Sequence, residues 1–270
     1  MKIDLHTITD HTHNCRNDID RLIDHAKDAG LDAIAIADTD TMSACGLALN
    51  AAENMMIIPG MKINTDLGTH LIGLFLNDEI VARDIFEVID EIHAQGGLVV
   101  VPYPYRPRVG LLYNRYKKQM YTGEDMTRIM SRVDLIEACT YGAQPDEIAA
   151  TEQYLQSVPD IPLAAGSNPQ KESHIGKAYV ELEDFATDSL QTLKKALLTA
   201  PRTLRFEAYS ADEAGQTRTV AFKSRRRKLF WRSKTPINLP LMKSLRTVWR
   251  NTIGRINADD RDRKNVTPAQ

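Results

Sequence analysis

Residues able to do chemistry gather just after short apolar runs in this 270-residue chain. His6, His11 and His13 follow KIDL, Asp38 and Asp40 follow DAIAIA, and Lys62 and Asn64 follow an apolar run ending at Met61. His70 opens HLIGLFL, Tyr103 and Arg106 follow LVVV, Glu137 lies within DLIEAC, and Ser167, Asn168 and Gln170 follow PLAAG. Histidines and carboxylates are the usual ligands of divalent metals, whereas lysine and arginine hold phosphate and other anions. Acids and histidines are too sparse here for a metal cluster. His6 and His13 read either as the remnant of a single-metal site, helped by Asp38 or Cys15, or as hydrogen-bonded structural histidines. Lys62, Arg106, Arg108 and Lys171 read either as an anion pocket or, in the plainer alternative, with Arg106 and Arg108 as solvated loop charges and Lys62 paired to Asp38. Ser167 reads as a turn residue, because no base stands at motif spacing.

These residues need a scaffold that brings strand ends together. Strand candidates at 2–6, 32–37, 56–61, 70–76, 98–102, 134–139, 162–166 and 178–182 alternate with helical stretches, the pattern of βα units and a largely parallel sheet. In the first helix Ile19, Leu22, Ile23 and Ala26 fall on one face, with Asn17 as its expected cap and Gly30 as its stop. Further helices are expected near 43–54, 80–95, 116–131, 144–157 and 188–199. In an α/β barrel the residues that follow the strands meet at one face, where barrel proteins build their sites.

Composition sets the outer limits. Hydrophobic content of 43% and charged content of 26% are those of a globular protein with a sizeable core, which excludes disorder as the default. No run approaches the roughly 18 apolar residues of a membrane span, and the polar start does not read as a signal peptide, so a cytoplasmic protein is expected. Cys15, Cys45 and Cys139 form no paired motif and read as free thiols.

The net charge of -2 conceals an asymmetry: residues 216–270 hold 15 Lys and Arg against 3 Asp and Glu, giving that segment about +12 and the rest about -14. The βα rhythm fades near Tyr209, which places an expected boundary at 210, with a barrel domain over 1–210 and a basic extension over 211–270. After Pro240, Leu241, Met242, Leu245, Val248, Trp249, Ile253 and Ile256 fall along one side of an expected amphipathic helix, followed by a disordered end. Such a segment suits an anionic membrane surface, nucleic acid, a protein partner, or the acidic barrel itself.

The runs MKIDLHT, DRLIDHAKDAGLDAIAIADTDT, PGMKI followed by GTHLIGLF, GGLVVVPYPYR, DLIEACTY and AAGSNPQKESHIGKAYVELE resemble, in order, the motifs of the polymerase and histidinol phosphatase (PHP) family. The resemblance covers residues 1 to about 205. It implies a distorted seven-stranded (β/α) TIM-like barrel and, in active members, a cluster of divalent metals that hydrolyses phosphoesters. On that pattern His6, His13 and His70 stand at ligand positions and Asp38 is kept beside one. Ile8, Thr39, Lys62, Tyr103, Asn168 and Gln170 stand where ligands are normal. Isoleucine offers no donor atom, and a lysine in place of a bridging carboxylate repels a dication.

Two functional readings follow. The first is a non-catalytic or weakly active barrel with no cofactor, binding a phosphate-containing small molecule through Lys62, Arg106 and Lys171 and carrying a cationic tail. The second is a divergent phosphoesterase holding one zinc or manganese ion on His6, His13, Asp38 and His70.

Overall fold

Each apolar run bounded by turn residues becomes a strand, and each amphipathic stretch between strands becomes a helix. The computed structural model describes residues 1–113, 121–158, 161–208 and 218–223. Strands β1 (Lys2–Thr7), β2 (Ala33–Ile36), β3 (Met56–Asn64), β4 (His70–Leu74), β5 (Leu98–Val101), β6 (Leu135–Thr140) and β7 (Leu163–Gly166) follow one another around a nearly closed barrel. Their pairings are parallel except at β4, which runs antiparallel to β3 and to β5. The expected distorted barrel is therefore present.

Three more strands continue the sheet from β1: β8 (Ala178–Leu182), β9 (Arg202–Ala208) and β10 (Arg218–Lys223), all antiparallel to their neighbours. The first compact unit accordingly reaches Arg226, past the expected boundary at 210. Because β9 and β10 pair antiparallel, the βα alternation ends before the sheet does. The expected amphipathic helix after Pro240 and the end of the chain lie outside the described residues. No helix among the described residues is long and apolar enough to cross a membrane.

Helices α1 (Ile19–Asp28), α2 (Ser43–Ala51), α3 (Ile85–Ala94), α4 (Gly123–Met130), α5 (Pro145–Leu155) and α6 (Leu190–Thr199) occupy the connections. Their starts follow from local chemistry. Asp84 caps α3 by accepting from Phe86 N and Glu87 N, Thr122 and Asp125 form a reciprocal capping box on α4, and Pro145 opens α5. Asn17 is not the cap of α1. Asp18 accepts from Asp20 N and Arg21 N, and the buried Asn17 amide donates instead to Ile8 O (3.2 Å) and Pro169 O (2.6 Å).

The strands bury both faces, as parallel barrel strands must. In β2, Ala33 and Ala35 join a cluster with Ile3, Leu5, Ile58, Ile72, Val100 and Leu135, while Ile34 and Ile36 pack on Leu22, Ile23 and Ala26 of α1 and Ala44 and Ala48 of α2. Arg202 ties β9 to the barrel. Its buried guanidinium donates to Leu163 O (3.1 Å), Leu197 O (2.5 Å) and Ala196 O (3.3 Å), thereby capping the end of α6. Burial alone lowers its pKa to about 10, which leaves it charged at neutral pH.

Arg202→Met keeps the stem and removes the guanidinium donor from Leu163 O and Leu197 O, while Ala196 O keeps its bond from Ala200 N, so a loss of about 1–3 kcal/mol is expected. Urea unfolding measures it as a lower midpoint at unchanged slope.

Candidate functional site

The C-terminal ends of β1, β2, β3, β6 and β7 bring one set of polar side chains together. The seam between β7 and β1 comes first, because it is unusually close. Asn168 N donates to His6 O at 2.6 Å, and a Cβ on Gly166 would lie 2.3 Å from His6 Cβ and 2.9 Å from Glu137 Oε1. Glycine is therefore the residue that this approach permits. Across the same seam Asp4, wholly buried in β1, accepts from Ser167 N (3.0 Å), Ser167 Oγ and His6 N (3.1 Å). Ser167 is thus a clamp on β1. Burial, the largest influence, pushes the Asp4 carboxyl up to about 7 against these hydrogen bonds.

His6 is fully buried, and its Nδ1 lies 3.0 Å from Glu137 Oε1. Glu137 Oε2 accepts in addition from Tyr103 N (2.8 Å) and Thr140 Oγ1 (2.7 Å). Register irregularities fall between Asp4 and Thr7 in β1 and between Glu137 and Cys139 in β6, so both partners sit where the ladder is bent. With its carboxylate partner on Nδ1, a neutral His6 carries its proton there and a lone pair on Nε2, which is buried and has no partner among the described residues. Burial lowers the His6 pKa, Glu137 opposes that shift, and the charges of Lys62 and Arg106 add to it.

Lys62 lies near the end of β3 at 5% exposure. Its backbone is fixed by Lys62 N donating to Asp38 O and by Asp40 N donating to Lys62 O. Among the described residues no carboxylate comes within ion-pair distance of its ammonium, although the fields of Asp38 and Glu137 reach it. Burial lowers its pKa to about 8, so it remains mostly protonated at neutral pH. Arg106 stands over the Tyr103 ring at 4.5 Å, with Nε 3.6 Å from Glu147 Oε2, an ion-pair separation longer than a hydrogen bond.

The other expected site residues are occupied or elsewhere. Asp38 accepts from Thr9 N (2.7 Å), Thr9 Oγ1 (2.7 Å) and Thr12 Oγ1 (2.6 Å), which knots the loop after β1 to the end of β2. His70 Nδ1 bonds the Tyr103 hydroxyl, whose pKa burial raises further. His13 and Lys171 are exposed, and His11 bonds Ser43 Oγ at 2.6 Å. The Cys15 thiol faces Ile8 O and Pro169 O, and burial raises its pKa, so it stays protonated.

The structure therefore gathers His6, Lys62 and Arg106 and leaves His13 and Lys171 outside. Asp4 is the site residue that sequence reasoning passed over, and Glu137 was noted at a strand end without its His6 partner. A lone acid inside the apolar run of β1 was the available signal for Asp4.

Among the described residues no group of three or more His, Cys, Asp or Glu side chains is placed to hold a metal ion. Tyr103 bonds His70 through its hydroxyl and lies against the His6 ring, and Lys62 adds positive charge.

No family model matches the chain. The uncharacterized protein MJ0417 of Methanocaldococcus jannaschii is 27% identical over 134 residues, which cover 47% of this chain and 52% of that protein. The uncharacterized protein MJ1587 of the same organism is 36% identical over 86 residues, covering 30% and 49%. The chain thus spans about half the length of these curated relatives. In structure it is similar to a two-domain Bacteroides vulgatus protein containing a predicted PHP-like metal-dependent phosphoesterase, with a TM-score of 0.60 and 16% identity. That match covers 76% of this chain and 64% of the other. The fold is PHP-like.

Asp4 gives the seam a pH dependence whose sign is fixed. Between its ordinary value of 3.8 and about 7 the folded chain keeps a proton that the unfolded chain has released, so stability falls as pH rises through that window. The unfolding free energy from urea titrations should be roughly 2 kcal/mol higher at pH 5 than at pH 7 through this group. Asp4→Asn, which keeps an acceptor and adds a donor, should flatten the difference.

Proposed function

We propose that this chain is a PHP-like barrel that binds a small phosphate-bearing molecule at its mouth on fixed side-chain cations and does not hydrolyse it through a metal cluster. The observation that carries this reading is the ammonium of Lys62, buried and without an ion-pair partner among the described residues, beside the His6–Glu137 pair. A fixed cation opposes a second one by on the order of 4 kcal/mol per unit charge at 4 Å in a protein-like dielectric. It attracts an oxyanion by the same physics. Arg106 supplies a second cation with a planar donor fork suited to phosphate.

Three features support the absence of metal-driven hydrolysis. The Asp38 carboxylate is held by hydroxyl and amide donors, the Cys15 thiol is protonated, and His70 Nδ1 is bonded to Tyr103. Metal hydrolases gain their nucleophile by lowering the pKa of a bound water, and this donor set offers no comparable station.

The test uses the full chain. Calorimetric titration with methyl phosphate at low ionic strength should show saturable binding that Lys62→Met weakens about 10- to 100-fold, the effect of a lost charge-assisted hydrogen bond. Stoichiometric zinc, manganese or iron in the purified protein that is lost in His6→Ala would falsify the reading. So would manganese-dependent hydrolysis of a phosphomonoester that His6→Ala abolishes.

A further inference from the structure

Two buried acceptors, His6 Nε2 and Asn168 Oδ1, have no partner among the described residues, and they lie on the same seam, where Asn168 N bonds His6 O. The third group there is the Lys62 ammonium, whose charge acts on His6. Their polarities differ. Lys62 brings a positive charge and donors, whereas Asn168 Oδ1 can only accept. His6, with its Nδ1 proton directed at Glu137, presents a lone pair. A ligand that suits all three brings a negative oxygen for Lys62 and a hydrogen-bond donor for the acceptors.

Resting on the phosphate-binding reading above, we infer that the mouth selects an oxyanion that keeps one proton, as hydrogen phosphate or the monoanion of a phosphomonoester. One P–O⁻ faces Lys62, and the P–OH donates to His6 Nε2 or Asn168 Oδ1. A sulfate ester has the same shape and charge but no proton. It sets anionic oxygens against buried lone pairs and leaves them unsatisfied. A site built around a hydrogen bond rejects analogues that cannot make it far more strongly than a site built on shape alone.

Asn168 also provides a clean perturbation. Its φ is +40°, in the left-handed region that glycine occupies without strain, so Asn168→Gly removes Oδ1 and suits the backbone.

Methyl phosphate and methyl sulfate are both monoanions at pH 5.5, below the second phosphate pKa near 6. Titrated into the full chain in chelated buffer, methyl phosphate should bind about 10- to 100-fold more tightly. The preference should narrow as pH rises to 7.5 and the ester loses its proton, and it should shrink in Asn168→Gly, with thermal unfolding as the check on folding. Inorganic phosphate run alongside separates a free anion from an esterified ligand.

Equal binding of the two esters overturns the inference and leaves the anion site standing. Binding of neither removes the phosphate reading itself. A preference that ignores both pH and Asn168→Gly also overturns the inference, because it would then arise from shape.

Discussion

The mouth of this barrel depends on how closely the end of β7 approaches β1. With a side chain at Gly166 the strands would have to part, since its Cβ would fall 2.3 Å from that of His6 and 2.7 Å from the His6 amide. The contact lets Ser167 reach Asp4, lets Asn168 bond the His6 carbonyl, and sets Glu137 against the His6 ring. β1 serves two neighbours to achieve this. Its first residues pair with β8, leaving its end free to meet β7. The seam is thus both the closure of the barrel and the floor of the candidate site, so mutations that loosen it disturb the fold and the site geometry together.

Around that floor lies a layer of polar groups bonded mainly to one another. Asp38 serves Thr9 and Thr12, Glu137 serves His6, Tyr103 and Thr140, and Tyr103 serves His70. Each bond satisfies a group that would otherwise be costly to bury. The backbone is held there in uncommon conformations as well, with positive φ at Asp40, Tyr103 and Asn168. Such conformations persist where surrounding contacts over-determine them. The positions of these side chains are thus set by contacts within the protein itself.

Much of the scaffold was legible in the sequence because its signals are local. The strand runs gave β1 to β8 to within a few residues, and the caps of α3 and α4 use the expected residue types. What was not legible is pairwise and long-range. His6 and Glu137 are 131 positions apart, and Asp4 and Ser167 are 163 apart, so no periodicity can announce them. Asn17 shows the same limit on a smaller scale. It looks like a cap, but the carbonyls of Ile8 and Pro169 compete for its amide, and Asp18 takes the cap. β9 and β10 escaped notice because they end the alternation on which the reading relied.

Lys62 shows how the fold tolerates a buried cation with no ion-pair partner among the described residues. Burial pulls its pKa down from 10.5 to about 8, and the carboxylates of Asp38 and Glu137 act against that fall. Neither is close enough to form an ion pair, so both sustain the charge without consuming it. A contact pair would have neutralised the ammonium and left a ligand nothing to gain by displacing it. Keeping the supporting carboxylates occupied with Thr9, Thr12, Tyr103, Thr140 and His6 holds them in place at that intermediate range. The same hydrogen bonds that close the barrel therefore also hold in place the carboxylates that sustain this buried charge.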